Sequence, residues 1–175
     1  MRDNPPAPNQ TARRIAAFKI GVISDTHNYF DPQIKALFDG VVHILHAGDI
    51  GGTGIIRQLE DIAPVTAVLG NTDDPGLHFN LTEFIEVTGR RFLLHHIVQP
   101  SRLPDWLQGR IAGDRPDVVV FGHTHKPFSQ RIGPPLFFNP GYAGKSRFGM
   151  ERTVAILHCE QDAIWPEYFR LESLL

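Results

Sequence analysis

Three short runs of mostly branched apolar residues, Phe18–Ile23, Val41–Leu45 and Val65–Leu69, are separated by two stretches whose apolar residues recur at helical spacing. This alternation constrains the chain more than any other feature. A buried strand reads as a continuous apolar run, and two parallel strands need a crossover that is usually a helix. Asp31 can cap the first crossover helix with Pro32 at its first position, and Ile34, Leu37 and Phe38 give that helix an apolar face. Thr53 is placed to cap the second, which carries Ile55, Ile56, Leu59 and Ile62. The β–helix–β–helix–β order therefore predicts parallel strands in an α/β fold.

Further along, the pattern changes. Leu81–Val87 and Arg90–His96 flank Thr88-Gly89, which is a hairpin signal. Leu103–Ile111 reads as a helix behind Pro100. Val118–Phe121, Phe128–Ile132, Leu136–Asn139, Thr153–His158 and Ile164–Arg170 read as strands. The expectation is a single domain over residues 18–175, with crossover units first and antiparallel strands later. Residues 1–17 are proline-rich and polar at their start and read as a disordered leader. The apolar stretch Ile15–Phe18 ends at Lys19, well short of the roughly 7–15 apolar residues of a signal peptide, so a cytoplasmic address is expected.

Composition removes several classes of function. With 42% hydrophobic and 21% charged residues among 175, the chain can bury a core and is not wholly disordered. A formal charge of −2 lacks the basic excess of a nucleic-acid binder, so no nucleic-acid partner is expected. No apolar run reaches the roughly 18 residues that read as a membrane span. The single Cys159 has no partner for an internal disulfide.

Chemistry collects at the ends of the predicted strands. Asp25 and His27 follow the first, Asp49 the second, and Asn71 and Asp73 the third. His95 and His96 end the hairpin strand, and His123 and His125 follow Val118–Phe121. In a parallel sheet these carboxyl-end loops converge on one crevice. Carboxylate oxygen, imidazole nitrogen and an amide oxygen suit divalent transition metals, whereas a magnesium or calcium site is mostly oxygen and a thiolate site needs cysteine. Gly48, Gly70 and Gly122 precede donors, as sharp turns and close backbone approach require. His43, His46, His78 and His158 read as surface, core or supporting groups, with His46 the nearest to the chemistry. Two motif-like segments fail their tests. Gly141–Ser146 lacks the glycine spacing of a P-loop, and Gly48–Gly54 lacks the last glycine of a dinucleotide loop.

The blocks D-x-H, G-D, G-N-x-D, a strand-terminal His and G-H-T-H, in this order, resemble the calcineurin-like metallophosphoesterases, and within them the small prokaryotic phosphodiesterases of the YfcE type. The likeness runs from about Lys19 to Leu157 and includes Asn139-Pro140-Gly141 and Arg147. It implies a four-layer α-β-β-α sandwich of two mixed β-sheets flanked by helices. It also implies two divalent metals, manganese first, with iron, zinc or nickel as alternatives. Asp25, His27, Asp49 and His125 would hold one, and Asp49, Asn71, His96 and His123 the other, Asp49 bridging them through both oxygens. Counting from Gly89 places the family's ligand histidine at His96 and its threonine at His95; His95 is the alternative ligand or a supporting group. The family glycine that follows becomes Ile97, a departure that can narrow the site.

The activity implied is hydrolysis of a small phosphate ester, a diester before a monoester, by a metal-bridging hydroxide. Asp49, Asn71, Asp73 and His96 would be the catalytic residues, with Asn71 and His96 touching the substrate. Asp73 is expected to orient a ligand imidazole or a water. Larger relatives carry a histidine where this chain has Thr72, so the leaving group lacks its usual acid, and His95 is a possible substitute. The fold also occurs as a non-catalytic scaffold, the retromer subunit, and relatives often form dimers or tetramers. Both possibilities stand as alternatives of the same resemblance.

Overall fold

A computed structural model of the chain describes residues 16–147 and 149–172. The predicted leader lies outside the described residues except for Ala16 and Ala17, which are exposed. In chain order the elements are β1 (Phe18–Ile23), α1 (Gln33–Leu37), β2 (His43–His46), α2 (Thr53–Glu60), β3 (Val65–Ala67), β4 (Thr82–Val87) and β5 (Arg90–His95). They continue with α3 (Asp105–Asp114), β6 (Val118–Val120), β7 (Phe128–Arg131), β8 (Leu136–Asn139), β9 (Thr153–Cys159) and β10 (Ile164–Arg170). The strands form two five-stranded sheets, ordered β10-β9-β1-β2-β3 and β4-β5-β6-β8-β7.

The period of two along each strand explains the layering. Ile20 and Val22 of β1, Leu45 of β2, and Ala155 and Leu157 of β9 meet Phe92, Leu94, Val118, Val120 and Phe138 from the other sheet. The alternate residues Leu93, Val119 and Phe137 turn outward onto Leu107 of α3. On the opposite side, Ile34, Phe38, Ile55, Ile56 and Leu59 cover Ile44, Val154 and Ile156. The result is helix, sheet, sheet, helix. Each fully buried Leu, Ile or Phe contributes about 1.5–3 kcal/mol, so these three clusters drive the fold. Gly21 is where Phe38 packs; a Cβ there would stand 2.9 Å from its ring.

Two details differ from the sequence reading. The later strands are not simply antiparallel, because β5, β6 and β8 run parallel, with β4 and β7 antiparallel at the edges. The reason is that α3 is itself a crossover, from β5 to β6. Strands β9 and β10 return antiparallel to the first sheet. Thr53 does not cap α2; Gly52 takes that position, where a Cβ would crowd Asn28 Oδ1 at 2.9 Å. Asp31 does hold the start of α1, accepting from the Gln33 amide at 3.0 Å. The hairpin forms as expected, with Val87 opposite Arg90 and both Thr88 and Gly89 at positive φ, as its tight turn demands. Among the described residues no helix is long and apolar enough to cross a membrane.

Candidate metal centre

The carboxyl ends of the parallel strands lie on one edge, and the loops leaving them continue to pair. The Asp25 amide donates to Gly48 O at 3.0 Å, the His27 amide to Asp49 O at 2.9 Å, and the Gly122 amide to His96 O at 3.0 Å. In these short loops Asp25, His27, Asp49, His123 and His125 all take positive φ, between 44° and 68°. Asp and His tolerate this region better than most residues, yet each instance costs of order 1–3 kcal/mol. Five strained residues on one edge mark a functional site. The three glycines leave room for the donors. A Cβ at Gly48 would lie 2.5 Å from His96 Nδ1, one at Gly122 would lie 2.7 Å from Asp25 Oδ2, and one at Gly70 would strike the Asp49 carboxylate.

Two compact donor groups result, Asp25 with His27 and His125, and Asp25 with Asp49 and His96, each with its ligand atoms within 4.8 Å of one another. His125 Nε2 stands 3.2 Å from Asp25 Oδ1, while His27 Nε2 and His96 Nε2 approach Asp49 Oδ2 at 3.7 and 3.5 Å. His96 Nδ1 lies 2.7 Å from the carbonyl of Ala47, to which it must donate. Its Nε2 is then a bare lone pair when the ring is neutral, the ligand tautomer. It faces a carboxylate, acceptor against acceptor. Asp25 Oδ1, His27 Nε2 and His96 Nε2 are buried without a hydrogen-bond partner. Divalent cations answer such a set, so the donors fit metal ions.

Electrostatics agree. Burial pushes the Asp25 carboxyl up to about 6, although the Ser24 hydroxyl, donating at 2.6 Å, pulls the other way. Burial also works to raise Asp49, but the Thr72 amide, donating at 2.9 Å, holds it below its ordinary value. Burial lowers both His27 and His125, leaving them neutral and able to coordinate.

The remaining expected residues take different places. His123 is exposed and outside both compact groups, its ring 5.4 Å from that of His96. Asn71 is exposed on the loop after β3, next to Thr72. Asp49 uses its oxygens unequally, since Oδ1 takes the Thr72 amide and Oδ2 alone faces both imidazoles. Asp73 binds no imidazole; its carboxylate accepts from the amides of Ile50, Gly51 and Gly70 at 2.7–3.0 Å. It positions the loop that carries Asp49.

His95 is turned away from the donors because neighbouring strand residues face opposite sides. Its Nδ1 lies 2.9 Å from both Thr82 Oγ1 and Leu81 O, and its ring packs on Trp106. It belongs to neither compact donor group. His46 is fully buried, accepts from the Gly48 amide and contacts Thr26 Oγ1 at 2.9 Å, tying the ends of β1 and β2 together. Burial lowers its pKa to about 4.

Tyr142 escaped the sequence reading, and Asn139 entered it only as part of the N-P-G segment. Tyr142 is fully buried with its ring 4.7 Å from His125, and Arg147 lies over that ring. Asn139 donates to Gly122 O and Thr124 Oγ1, holding the G-H-T-H loop. The N-P-G segment immediately before Tyr142 is the signal that marks both.

An α/β sandwich with nitrogen and oxygen donors on one strand edge is the architecture of a metal-binding phosphoesterase domain. The chain belongs to the calcineurin-like phosphoesterase superfamily, whose domain matches residues 18–162. A probable metallophosphoesterase of Methanothermobacter thermautotrophicus is 34% identical over 160 residues, 86% of this chain and 91% of that protein. Phosphodiesterase YfcE of Escherichia coli K12 is 35% identical over 97 residues, half of this chain and 49% of that protein. Among solved structures, vacuolar protein sorting 29 of Cryptosporidium parvum superposes with a TM-score of 0.72 at 18% identity, over 89% of this chain and 92% of that one. An archaeal phosphodiesterase gives 0.69 at 24% identity, over 88% of this chain and all of that one. These structures share the fold.

Proposed function

We propose that the protein is a metal-dependent phosphodiesterase, Asp25, His27, Asp49 and His125 holding one divalent cation and Asp49, Asn71, His96 and His123 a second. The observation that carries the reading is the convergence of Asp25 Oδ1, His27 Nε2 and His96 Nε2, buried and unanswered by any protein donor. Bound there, divalent ions supply Lewis acidity and a nucleophilic water near neutral pH. Manganese, then iron, zinc or nickel, suits the mixed nitrogen and oxygen set.

The chain's own residues set the terms of the reaction. Ala47 O and the strained loops fix the donor lone pairs before substrate arrives, which is preorganisation. Arg147, over Tyr142 beside His125, supplies a cation for phosphate oxygens. In the hydrolysis a water oxygen bonds to phosphorus as one ester P–O bond breaks, and the departing alkoxide takes up a proton. Thr72 cannot supply that proton near pH 7, and His95 faces elsewhere. Esters of acidic alcohols are therefore the better substrates. A diester is favoured over a monoester because two clefts flank the 122–127 loop, one reached past His123 and one past His125. Each has room for one ester substituent.

The test is hydrolysis of an activated aryl phosphodiester with added manganese by wild type and Asp49→Asn. Wild-type turnover that the variant loses supports the reading. Equal rates, or none in either, overturn it in favour of a non-catalytic scaffold.

A further inference from the structure

The cleft beyond His123 is a cavity of about 610 Å³. That is within the roughly 300–1,000 Å³ of small-molecule sites. Its walls are Ile97, Val98, Pro100, Phe121, Pro127 and Phe128. Gln99, Thr124 and Lys126 supply its polar groups. The walls are well supported: Val98 and Phe121 are buried in the cluster under α3, and the rings of Phe121 and Phe128 stand 5.8 Å apart at 56°. Ile97 is different. It is 48% exposed, follows His96 directly, and contributes no packing to any core cluster of the described residues. A large apolar side chain left in water beside a donor cluster is informative because nothing in the fold requires it.

We infer that this cavity is the subsite for one substituent of the diester and that it selects a bulky apolar group, with Ile97 as its specificity-determining wall. The inference rests on the phosphodiesterase reading and adds the substrate class. Polar substituents such as a sugar, glycerol or choline would bring hydroxyls or charge against an apolar wall that offers few partners, at the cost of their hydration. An aryl or branched alkyl group loses nothing there and buries its own surface together with that of Ile97 and Phe128. The phosphate end remains at His123, next to His96, and Lys126 stands between this cleft and its neighbour.

The experiment measures calorimetric binding of methyl-, butyl-, benzyl- and 1-naphthylmethylphosphonate to the manganese-loaded full chain, in wild type, Ile97→Ser and Ile97→Leu. Affinity in wild type is expected to rise along the series by about tenfold or more, the gain an apolar pocket gives to each added group. The ratio of naphthylmethyl to methyl affinity should fall to within about threefold in Ile97→Ser and return in Ile97→Leu. A flat wild-type series, no measurable binding, or an unchanged ratio in Ile97→Ser overturns the subsite. The hydrolysis comparison of wild type with Asp49→Asn is run alongside. Manganese-dependent turnover with a flat phosphonate series sinks the subsite alone, whereas absent turnover sinks the phosphodiesterase reading whatever the phosphonates do.

Discussion

The two ends of the sandwich treat charge in opposite ways. At the amino end, Asp117 lies before β6 and is fully answered, accepting from the Arg91 amide at 2.8 Å and Arg90 Nη1 at 3.3 Å. Arg90 in turn donates to the carbonyls of Glu160 and Gln161, leaving only its Nε without a partner. A larger cavity, about 660 Å³, opens at this end beside Arg115 and Pro116. At the carboxyl end the carboxylates of Asp25 and Asp49 meet bare imidazole nitrogens instead. Size of cavity does not mark the chemistry. What marks it is a set of acceptors buried together at a cost that a bound cation recovers.

Four changes would break or sharpen that contrast, beginning with the greatest. Asp49→Asn removes half the charge of the donor set, and manganese-dependent kcat/KM for an aryl diester should drop at least a hundredfold, roughly beyond what losing a supporting contact costs. Wild-type rates in that variant would erase the distinction between the ends. Acid comes next, through His46. Its buried ring has a pKa of about 4 against the ordinary 6.5, so the unfolded chain binds a proton that the folded one refuses. That part of the stability is present above about pH 6.5 and is lost as the pH falls toward 4, about 3 kcal/mol in all. Denaturant titrations at pH 7 and pH 4.5 measure it, and His46→Gln should shrink the difference by that share, leaving the part due to His27 and His125.

Asp73→Asn keeps one acceptor oxygen but sets an amide N–H₂ against backbone amides. Manganese affinity, read by competition with a chelating dye, should fall about 10–100-fold while the fold persists. The smallest effect belongs to the amino end. Asp117→Asn should cost about 1–2 kcal/mol in denaturant unfolding and leave hydrolysis unchanged. A loss of turnover there would show that the two ends are coupled.

Much of this was readable from the chain because the donors sit where short apolar runs stop. Asp25, Asp49 and His123 fall within three residues of a strand end, and parallel crossovers must bring such ends together. Counting from Gly89 singled out His96 over His95, and the alternation along β5 puts the two on opposite faces. The parallel course of β6 and β8 was less legible, because their short apolar runs are compatible with either direction. Asp73 and Tyr142 act through backbone amides and ring packing, contacts with no spacing rule. Only the folded loops reveal that Asp73 clasps three amides, or that one oxygen of Asp49 is already taken.

The left-handed backbone at five donors restricts what any redesign of this centre can use. Aspartate and histidine are both good metal donors and among the residues that tolerate that conformation with least strain. The coordinating alphabet is thus chosen twice, once by the ion and once by the loop. Exchanging a donor for glutamate or cysteine to recruit a different metal would strain the peptide path before it altered the ligand field, so new chemistry here calls for new loops.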